Sequence, residues 1–150
     1  MASCLSACGA VAASPCGPER ATVTRVIDGD TVVLDGGDKV RYLLVDANEL
    51  EGGACYGREA LEENRRLVEG QTVDLGYDVE CSDRYGRLLA YVSVAGRDVG
   101  RLLVERGYAC VLYIPPDGAG RRAELEAAEA AARDAHAGMW GACPEVACAE

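Results

Sequence analysis

The order and spacing of the predicted strands and helices restrict the fold of this chain more than any other feature of its sequence. Three short segments rich in β-branched or large apolar residues come first, separated by turn residues, and a helix follows the third. Because strands at such short spacing suit a small closed barrel, we predict an α+β fold, a five-stranded OB-fold β-barrel with three helices packed outside it. The predicted strands cover residues 21–27, 31–35, 40–45, 71–79, 87–94 and 109–114, and the predicted helices cover residues 56–69, 98–106 and 121–137.

The length of 150 residues indicates one globular domain. Apolar residues make up 49% of the chain, enough for a core, yet no apolar run approaches the roughly 18–20 residues that cross a bilayer. We therefore predict no transmembrane segment. The predicted boundaries are a flexible N-terminal tail at residues 1–20, a domain at residues 21–143 and a C-terminal tail at residues 144–150.

The charge of the chain limits the partners that it can bind. Fifteen basic residues against 25 acidic residues give a net charge of −10. A strongly acidic protein repels phosphate backbones at long range, so nonspecific coating of nucleic acid is disfavoured. Any chemistry on a phosphate group therefore needs a local positive site or a bound cation.

Eight cysteines are many for this length and indicate either metal binding or disulfide bonds. Zinc sites usually contain C-x2-C pairs or several histidines, whereas no two cysteines here have that spacing and His136 is the only histidine. We therefore predict disulfide bonds and an exported location: secreted, periplasmic or in the cell envelope. Residues 5–8 are similar to the lipobox of bacterial lipoproteins, although no basic and apolar export signal precedes them, so lipid anchoring and a chance match both remain open.

Three short segments carry acidic and basic side chains where predicted strands begin or end. The first, residues 27–31, contains Asp28 and Asp30 around a glycine, which is typical of a hairpin turn with the glycine at positive φ. The second, residues 41–49, has Arg41 within an otherwise apolar strand, and a half-buried arginine needs anionic partners. The third, residues 82–87, is a dense polar turn that by itself is typical of a solvated loop.

Together the three segments contain the groups that phosphodiester hydrolysis requires: carboxylates for a hard cation, a group that acts on water, and positive charge for the phosphate. Asp30 and Asp46 come from neighbouring strand ends, and Ca²⁺ takes several oxygen ligands, including carbonyls and waters. Two carboxylates alone bind this ion weakly, so substrate phosphate would complete its shell. Glu49 follows and would act on water, while Arg41 and Arg87 would donate paired hydrogen bonds to phosphate oxygens.

The same segments resemble, in order and at similar spacing, the three motifs of the staphylococcal nuclease (thermonuclease) family; here they read VIDGDT, VRYLLVDANE and SDRYGRLLAY. The resemblance extends over residues 21–140, because GYACVLY and the alanine-rich helix ending in GMW are similar to the family's C-terminal part. It implies the OB-fold barrel, a hydrolase of the endonuclease type and Ca²⁺ as cofactor. Asp30, Asp46 and the main-chain carbonyl of Ala47 would bind the Ca²⁺.

The resemblance also assigns roles to the remaining candidate residues. It implies that Glu49 is the general base or orients the attacking water, and that Arg41 and Arg87 stabilise the transition state. It makes Asp28 an acid close to the cation. Substrate would be bound by Arg84 at the phosphate and by Tyr85 and Tyr113, which match positions lining the nucleotide site.

The reaction implied by the resemblance is Ca²⁺-dependent cleavage of the P–O5′ bond in single-stranded DNA and RNA, which leaves 3′-phosphate ends. We expect the enzyme to act as a monomer. A non-enzymatic alternative stays open, because domains of this family also serve as nucleic-acid or protein binding modules after losing active-site groups. The presence of five key side chains favours the enzyme: Asp30, Arg41, Asp46, Glu49 and Arg87.

Departures from the family pattern change what we expect of the site. The family usually has Asp-Thr-Pro-Glu where residues 46–49 read Asp-Ala-Asn-Glu, and the loss of proline frees the turn that directs Glu49. A second tyrosine near the base is replaced by Pro115, which removes a stacking surface, so we expect weaker substrate affinity with the chemical groups retained. The resemblance further implies a disulfide bond between Cys55 and Cys143, because the last helix of this fold family ends near the start of the first.

Overall fold

The computed structural model describes residues 14–149, in which strands and helices follow the predicted order. The strands are β1 (Arg20–Asp28), β2 (Thr31–Leu34), β3 (Lys39–Tyr42), β4 (Val45–Asp46), β5 (Thr72–Gly76), β6 (Leu88–Val94), β7 (Arg97–Asp98) and β8 (Cys110–Val111). The helices are α1 (Gly57–Val68), α2 (Val99–Glu105), α3 (Arg122–Asp134) and the single turn α4 (Met139–Ala142).

Five strands close into a mixed β-barrel. They hydrogen-bond in the order β3, β2, β1, β5, β6, and a parallel pairing between β3 and β6 closes the ring. The short β7 extends β6, while β4 and β8 form a separate antiparallel pair. The predicted five-stranded barrel with three packed helices is therefore confirmed, with α4 as an additional turn.

The core is built mainly from valine, because β-branched side chains pack well on the pleated inner faces of strands. Helix α1 adds Ala60, Leu61 and Val68 to this core and places most of its charged residues outside; the exception is Glu63, which is buried and paired with Arg66 and Arg106. Its amphipathic pattern agrees with the sequence prediction. Fully buried residues of the core include Val23, Val32, Leu34, Val40, Val73, Val92, Val99, Leu103 and Val104.

The turn between β1 and β2 differs from its sequence interpretation. Gly29 is not among the glycines at positive φ. A Cβ at this position would lie 2.5 Å from the Cβ of Ala47 and 2.7 Å from the Cβ of Ala60. The glycine is therefore required for close packing of the turn against α1 and the chain after β4, rather than for its backbone conformation.

The predicted strand at residues 40–45 is divided in two. Strand β3 ends at Tyr42 and β4 begins at Val45, because Leu44 between them has a φ of 64°. Leu44 is buried, and the structure packs its side chain against Gly118, where a Cβ would lie 2.5 Å from Leu44 Cδ2. This break turns the chain after β3 so that the carbonyl of Val45 faces back toward Arg41.

Three disulfide bonds join distant parts of the described chain: Cys16–Cys81, Cys55–Cys143 and Cys110–Cys148. The second is the pairing that the family resemblance implied. The other two attach residues near each end to the barrel, and the Tyr77 hydroxyl also donates to the carbonyl of Pro18 at 2.6 Å. Two further cysteines, Cys4 and Cys8, and the lipobox-like residues 5–8 lie outside the described residues.

No helix within residues 14–149 is both long enough and apolar enough to traverse a lipid bilayer.

Candidate active site

Asp30 stands where the chain turns from β1 into β2, and it is almost completely buried, at 5% exposure. Each of its carboxylate oxygens has a partner. Oδ2 accepts a hydrogen bond from the amide of Ala47 at 2.8 Å, and Oδ1 accepts one from the hydroxyl of Thr31 at 2.9 Å. The amide of Asp30 donates to Asp28 Oδ1 at 3.0 Å, so the turn is held by its own acidic side chains.

Barrel closure brings Arg41 beside this turn. Arg41 pairs with Thr31 across the antiparallel β2–β3 ladder and with Leu89 across the parallel β3–β6 ladder. Its Nη2 lies 3.3 Å from Asp30 Oδ2 and 3.1 Å from Asp46 Oδ1. Its Nη1 donates to the main-chain carbonyls of Tyr42 and Val45. The anionic partners predicted for an arginine within a strand are therefore present.

The two acids in contact with Arg41 both have raised pKa values. Burial is the largest cause that raises the pKa of Asp30 to about 7, and the Asp28 carboxylate adds to it against the opposing charge of Arg41. Burial also raises the pKa of Asp46, with the same two neighbours acting in the same directions. One guanidinium group thus lies beside several carboxylates, so the cluster has more acidic groups than basic ones.

The oxygen atoms of this cluster are suitable ligands for a hard cation. Within the described range, no group of three or more His, Cys, Asp or Glu side chains is arranged to hold a metal ion by itself. Asp30 and Asp46 nevertheless share one guanidinium nitrogen, and Ala47 is bonded to Asp30 through its amide. These groups offer only oxygen ligands, which Ca²⁺ prefers, and a partial shell that water and phosphate oxygens can complete.

Arg87 is held by its own turn. Asp83 Oδ2 accepts from Arg87 Nε at 2.7 Å, and Asp83 Oδ1 accepts from the amides of Tyr85 and Arg87 at 2.9 and 3.1 Å. Partial burial raises the pKa of Asp83, but these hydrogen bonds and the guanidinium outweigh it, so the pKa lies below its usual value. The turn therefore keeps an ionised carboxylate against the arginine.

A cavity of about 470 Å³ joins the two arginines. Arg41, Arg84 and Arg87 all line it, together with Asp83. Its apolar wall is formed by Leu89, Leu112 and Ile114, among other residues. The cavity thus combines three guanidinium groups, three carboxylates (Glu80, Asp83 and Asp117) and an apolar surface.

Glu49 and Asp28 lie in a different groove, which Ile27, Leu50 and Glu51 also line. Glu49 is exposed, and it follows Asp46 by three residues at the start of the loop that leads to α1. Arg41 of the Asp30–Arg41–Asp46 cluster lines the first cavity, and Asp28, which accepts a hydrogen bond from the Asp30 amide, lines the second groove. The structure therefore brings the acids and Arg41 into direct contact, but it does not bring Glu49 into contact with the arginines.

The two candidate tyrosines have different surroundings. Tyr85 is 68% exposed, with the guanidinium carbons of Arg84 and Arg87 at 4.8 and 5.4 Å from its ring centre. Tyr113 is half-buried, does not line the cavity of the arginines, and lies under the guanidinium of Arg122 at 4.4 Å. Of the two, only Tyr85 is in contact with the candidate phosphate-binding arginines.

Comparison with known proteins shows the family of this chain. The family model described as staphylococcal nuclease homologue matches residues 39–142, more than half of the chain. The chain belongs to this family. The region matched includes Arg41, Asp46, Glu49 and Arg87, whereas Asp30 precedes it.

Individual relatives of this staphylococcal nuclease homologue carry nuclease names. It is 44% identical over 101 residues to Endonuclease YncB of Bacillus subtilis, a match that covers 62% of this chain and 48% of that protein. It is 42% identical over 101 residues to the SPbeta prophage-derived endonuclease YokF of the same species, covering 62% of this chain and 34% of that protein. The chain thus spans half or less of the length of these two relatives.

A third relative is covered more fully. The Thermonuclease of Staphylococcus intermedius is 34% identical over 129 residues, which are 81% of this chain and 76% of that protein. This match extends beyond the region of the family model, in agreement with the sequence resemblance over residues 21–140.

Two residues that hold the candidate side chains of this family member were not predicted from its sequence. Asp83 is one of them. Its sequence signal was its position two residues before Tyr85, a spacing at which a carboxylate accepts a hydrogen bond from a backbone amide. Asn64 is another: buried in α1, it donates to the carbonyl of Asp28 at 2.9 Å and accepts from the Tyr42 hydroxyl at 2.8 Å. No local pattern identifies Asn64, because its partners are 22 and 36 residues away.

Proposed function

We propose that this chain is a Ca²⁺-dependent nuclease that hydrolyses phosphodiester bonds in single-stranded DNA and RNA. One observation carries the proposal: in a chain of net charge −10, Arg41, Arg84 and Arg87 line one cavity, and Arg41 also contacts the buried Asp30 and the half-buried Asp46. Such an acidic protein binds a polyanion only where positive charge is concentrated. The family membership and the nuclease names of the relatives support the same activity.

In the proposed site, Asp30, Asp46 and the carbonyl of Ala47 hold Ca²⁺. When bound, the ion supplies Lewis-acid polarisation of a phosphate oxygen. The buried Asp30 suits this role because its oxygens are already oriented by the Ala47 amide and the Thr31 hydroxyl. Asp28 lies close enough to hydrogen-bond the Asp30 amide, and it increases the negative charge that attracts the cation.

The arginines bind the phosphate and stabilise the charge that develops on it. Arg41 Nε and Arg87 Nη1 make no hydrogen bond or ion pair with any described residue, so each guanidinium has a donor left for substrate. Arg84, at the rim of the same cavity, adds a third positive group. The exposed ring of Tyr85 provides a surface on which a base can stack.

Glu49 orients or deprotonates the water that attacks phosphorus. Attack opposite the O5′ atom breaks the P–O5′ bond, which leaves a 3′-phosphate on one fragment and a 5′-hydroxyl on the other. Because Glu49 is exposed in a groove beside the carboxylate cluster, it has access to water. We propose a monomeric enzyme in an oxidising, exported location, which the three disulfide bonds support.

The test is digestion of a labelled single-stranded DNA and a labelled RNA by the purified, oxidised protein with Ca²⁺, with a chelator, and with Ca²⁺ restored. We expect cleavage only when Ca²⁺ is present, and end-group analysis should find 3′-phosphates. Glu49→Gln should lower kcat strongly while calorimetry shows Ca²⁺ binding close to that of the parent. Digestion that continues at full rate in chelator would contradict the proposal.

A weaker alternative is a module that binds nucleic acid or protein with little hydrolysis. It is favoured by the position of Tyr113 under Arg122, which leaves the cavity without that aromatic wall. Single-stranded DNA bound equally well with and without Ca²⁺, and recovered intact, would support this alternative.

A further inference from the structure

We propose that the Asn48 side chain and the Cys55–Cys143 disulfide bond position Glu49 for hydrolysis, so that turnover depends on this disulfide. The inference rests on the proposed function and adds two positioning elements to it. In this chain they replace the restraint that the family's proline provides at position 48, directly before the glutamate.

The loop that carries Glu49 has little packing of its own. Residues 49–55 are all exposed, and Glu49 makes no side-chain hydrogen bond or ion pair within residues 14–149. Gly52 and Gly53, at its tip, have φ values of 88° and 69°, and a Cβ on either would meet no atom within 4 Å. Loops with so few contacts open at low free-energy cost.

The two ends of the loop are nevertheless held together. Asn48 Nδ2 donates to the carbonyl of Cys55 at 2.6 Å, which closes the loop across its base. Gly57 packs directly under the same backbone, since a Cβ there would lie 2.5 Å from the carbonyl oxygen of Glu49 and 3.1 Å from that of Asn48. The hydrogen bond therefore fixes the start of the loop relative to the start of α1.

The disulfide bond connects this closed loop to a rigid part of the molecule. Cys55 is bonded to Cys143, with 6.0 Å between their Cα atoms, and Cys143 directly follows α4. Helix α4 is itself anchored, because Met139 is buried and its amide donates to the carbonyl of Gly107 at 2.9 Å. The Glu49 loop is thus linked covalently to the end of α4, which is hydrogen-bonded to the chain just after α2.

Position matters for a residue that acts on water, because a displacement of about 1 Å can lower the rate roughly 100-fold. A proline at position 48 would restrict the backbone directly. Asn48 has no such stiffness, and its restraint depends on the carbonyl of Cys55 staying where the disulfide holds it. We therefore expect the two elements to act as a unit.

The experiment compares the parent with C55S/C143S and with Asn48→Asp, which keeps the size of the side chain but removes the donor. We expect kcat on single-stranded DNA with Ca²⁺ to fall roughly 10- to 100-fold in both, with KM nearly unchanged, because substrate binding does not involve this loop. Hydrogen–deuterium exchange of residues 49–56, measured without metal or substrate, should become faster in both. Asn48→Pro in the C55S/C143S background should restore a large part of kcat.

Cys148→Ala is the matched control, since it removes a different disulfide bond and leaves the Glu49 loop intact. Its kcat and its exchange at residues 49–56 should equal those of the parent. If C55S/C143S is folded, exchanges like the parent and keeps its kcat while Glu49→Gln is inactive, the inference is wrong and the proposed function stands. If the parent itself does not cleave, or if Glu49→Gln cleaves as fast as the parent, the assignment of Glu49 under the proposed function fails, and the inference fails with it.

Discussion

Arg41 and Arg87 line the same cavity, but they are held in different ways. Arg41 has a side chain only 15% exposed, and it is bonded to the carboxylates of Asp30 and Asp46, to the carbonyl of Val45 in β4 and to that of its neighbour Tyr42. Arg87 is 29% exposed, and its side chain is bonded to Asp83 of its own turn, four residues earlier. One arginine is thus part of the barrel, and the other is carried by a local turn.

This difference separates two kinds of functional residue. Asp30 reaches Arg41 only when β2 and β3 have paired, so removal of Arg41 should affect both folding and chemistry. The partner of Arg87 is already nearby in the sequence, so its removal should affect chemistry with little effect on folding. Substitutions of Arg41 and of Arg87 can therefore test whether a loss of activity is accompanied by a loss of stability at Arg41 but not at Arg87.

The largest effect is expected for Arg41→Ala. Removing one member of a buried charged cluster leaves uncompensated carboxylates, which costs roughly 3–5 kcal/mol of unfolding free energy. Turnover of single-stranded DNA should also become undetectable, because the phosphate loses a donor and the Asp30–Asp46 pair loses its bridge. Urea unfolding at neutral pH measures the first effect. A variant as stable as the parent would show that the cluster does not hold the barrel together.

Arg87→Ala should lower kcat about 10²- to 10³-fold, the usual loss for one preorganised charge donor, with less than about 1 kcal/mol of lost stability. Arg97→Ala on β7 is a matched control, since Arg97 is an exposed arginine that does not line this cavity. It should keep both properties of the parent. Digestion by the Arg87 variant at the parental rate would contradict the role proposed for Arg87.

Asp83→Asn should have an intermediate effect, because it leaves Arg87 in place but removes the carboxylate that orients it. We expect kcat to fall by roughly a factor of 10, with Ca²⁺ binding unchanged. Since the pKa of Asp83 is lowered in the folded protein, its contribution to stability is complete above the unfolded pKa of about 4 and is lost as the pH falls through the folded value.

The pH dependence supplies the check on this prediction. Between pH 5 and 9, activity and stability should change with pH in the same way in the parent and in the Asp83→Asn variant. A difference between the two that develops in this range would mean that Asp83 does not stay ionised in the folded state.

Much of the fold and of the Arg41 cluster follows from local patterns in the sequence. Turn residues separate the strands, and a charged residue within an apolar strand requires anionic partners, which Arg41 finds in Asp30 and Asp46. The break after Tyr42 could not be predicted in this way. Leu44 is an apolar residue without a turn signal, and its positive φ is imposed by packing against the chain near Gly118.

The remaining differences also come from contacts between distant residues. The family resemblance places Tyr113 at the nucleotide site, and no local pattern predicts that the guanidinium of Arg122, at the start of α3, lies over its ring. At position 48, where the family has proline, the Asn48 side chain donates a hydrogen bond to the carbonyl of Cys55, seven residues further along the chain. No residue pattern predicts this hydrogen bond. Side chains whose partners are local or strongly charged were thus predictable, whereas those fixed by tertiary packing were not.

The smallest effect is predicted for a substitution of Tyr42, which tests the contacts on the barrel side of Arg41. Tyr42 follows Arg41 in the sequence and is buried. Its hydroxyl donates to Asn64 Oδ1, and Asn64 Nδ2 donates to the carbonyl of Asp28. Tyr42→Phe leaves a buried acceptor without its donor, so we expect a loss of roughly 1 kcal/mol in unfolding free energy, with kcat within about twofold of the parent. Thermal unfolding and a single-stranded DNA assay measure the two quantities. If kcat instead falls 10-fold while stability is unchanged, the Tyr42–Asn64 pair orients the acidic turn directly, and stability and activity would be separable on the Arg41 side as well.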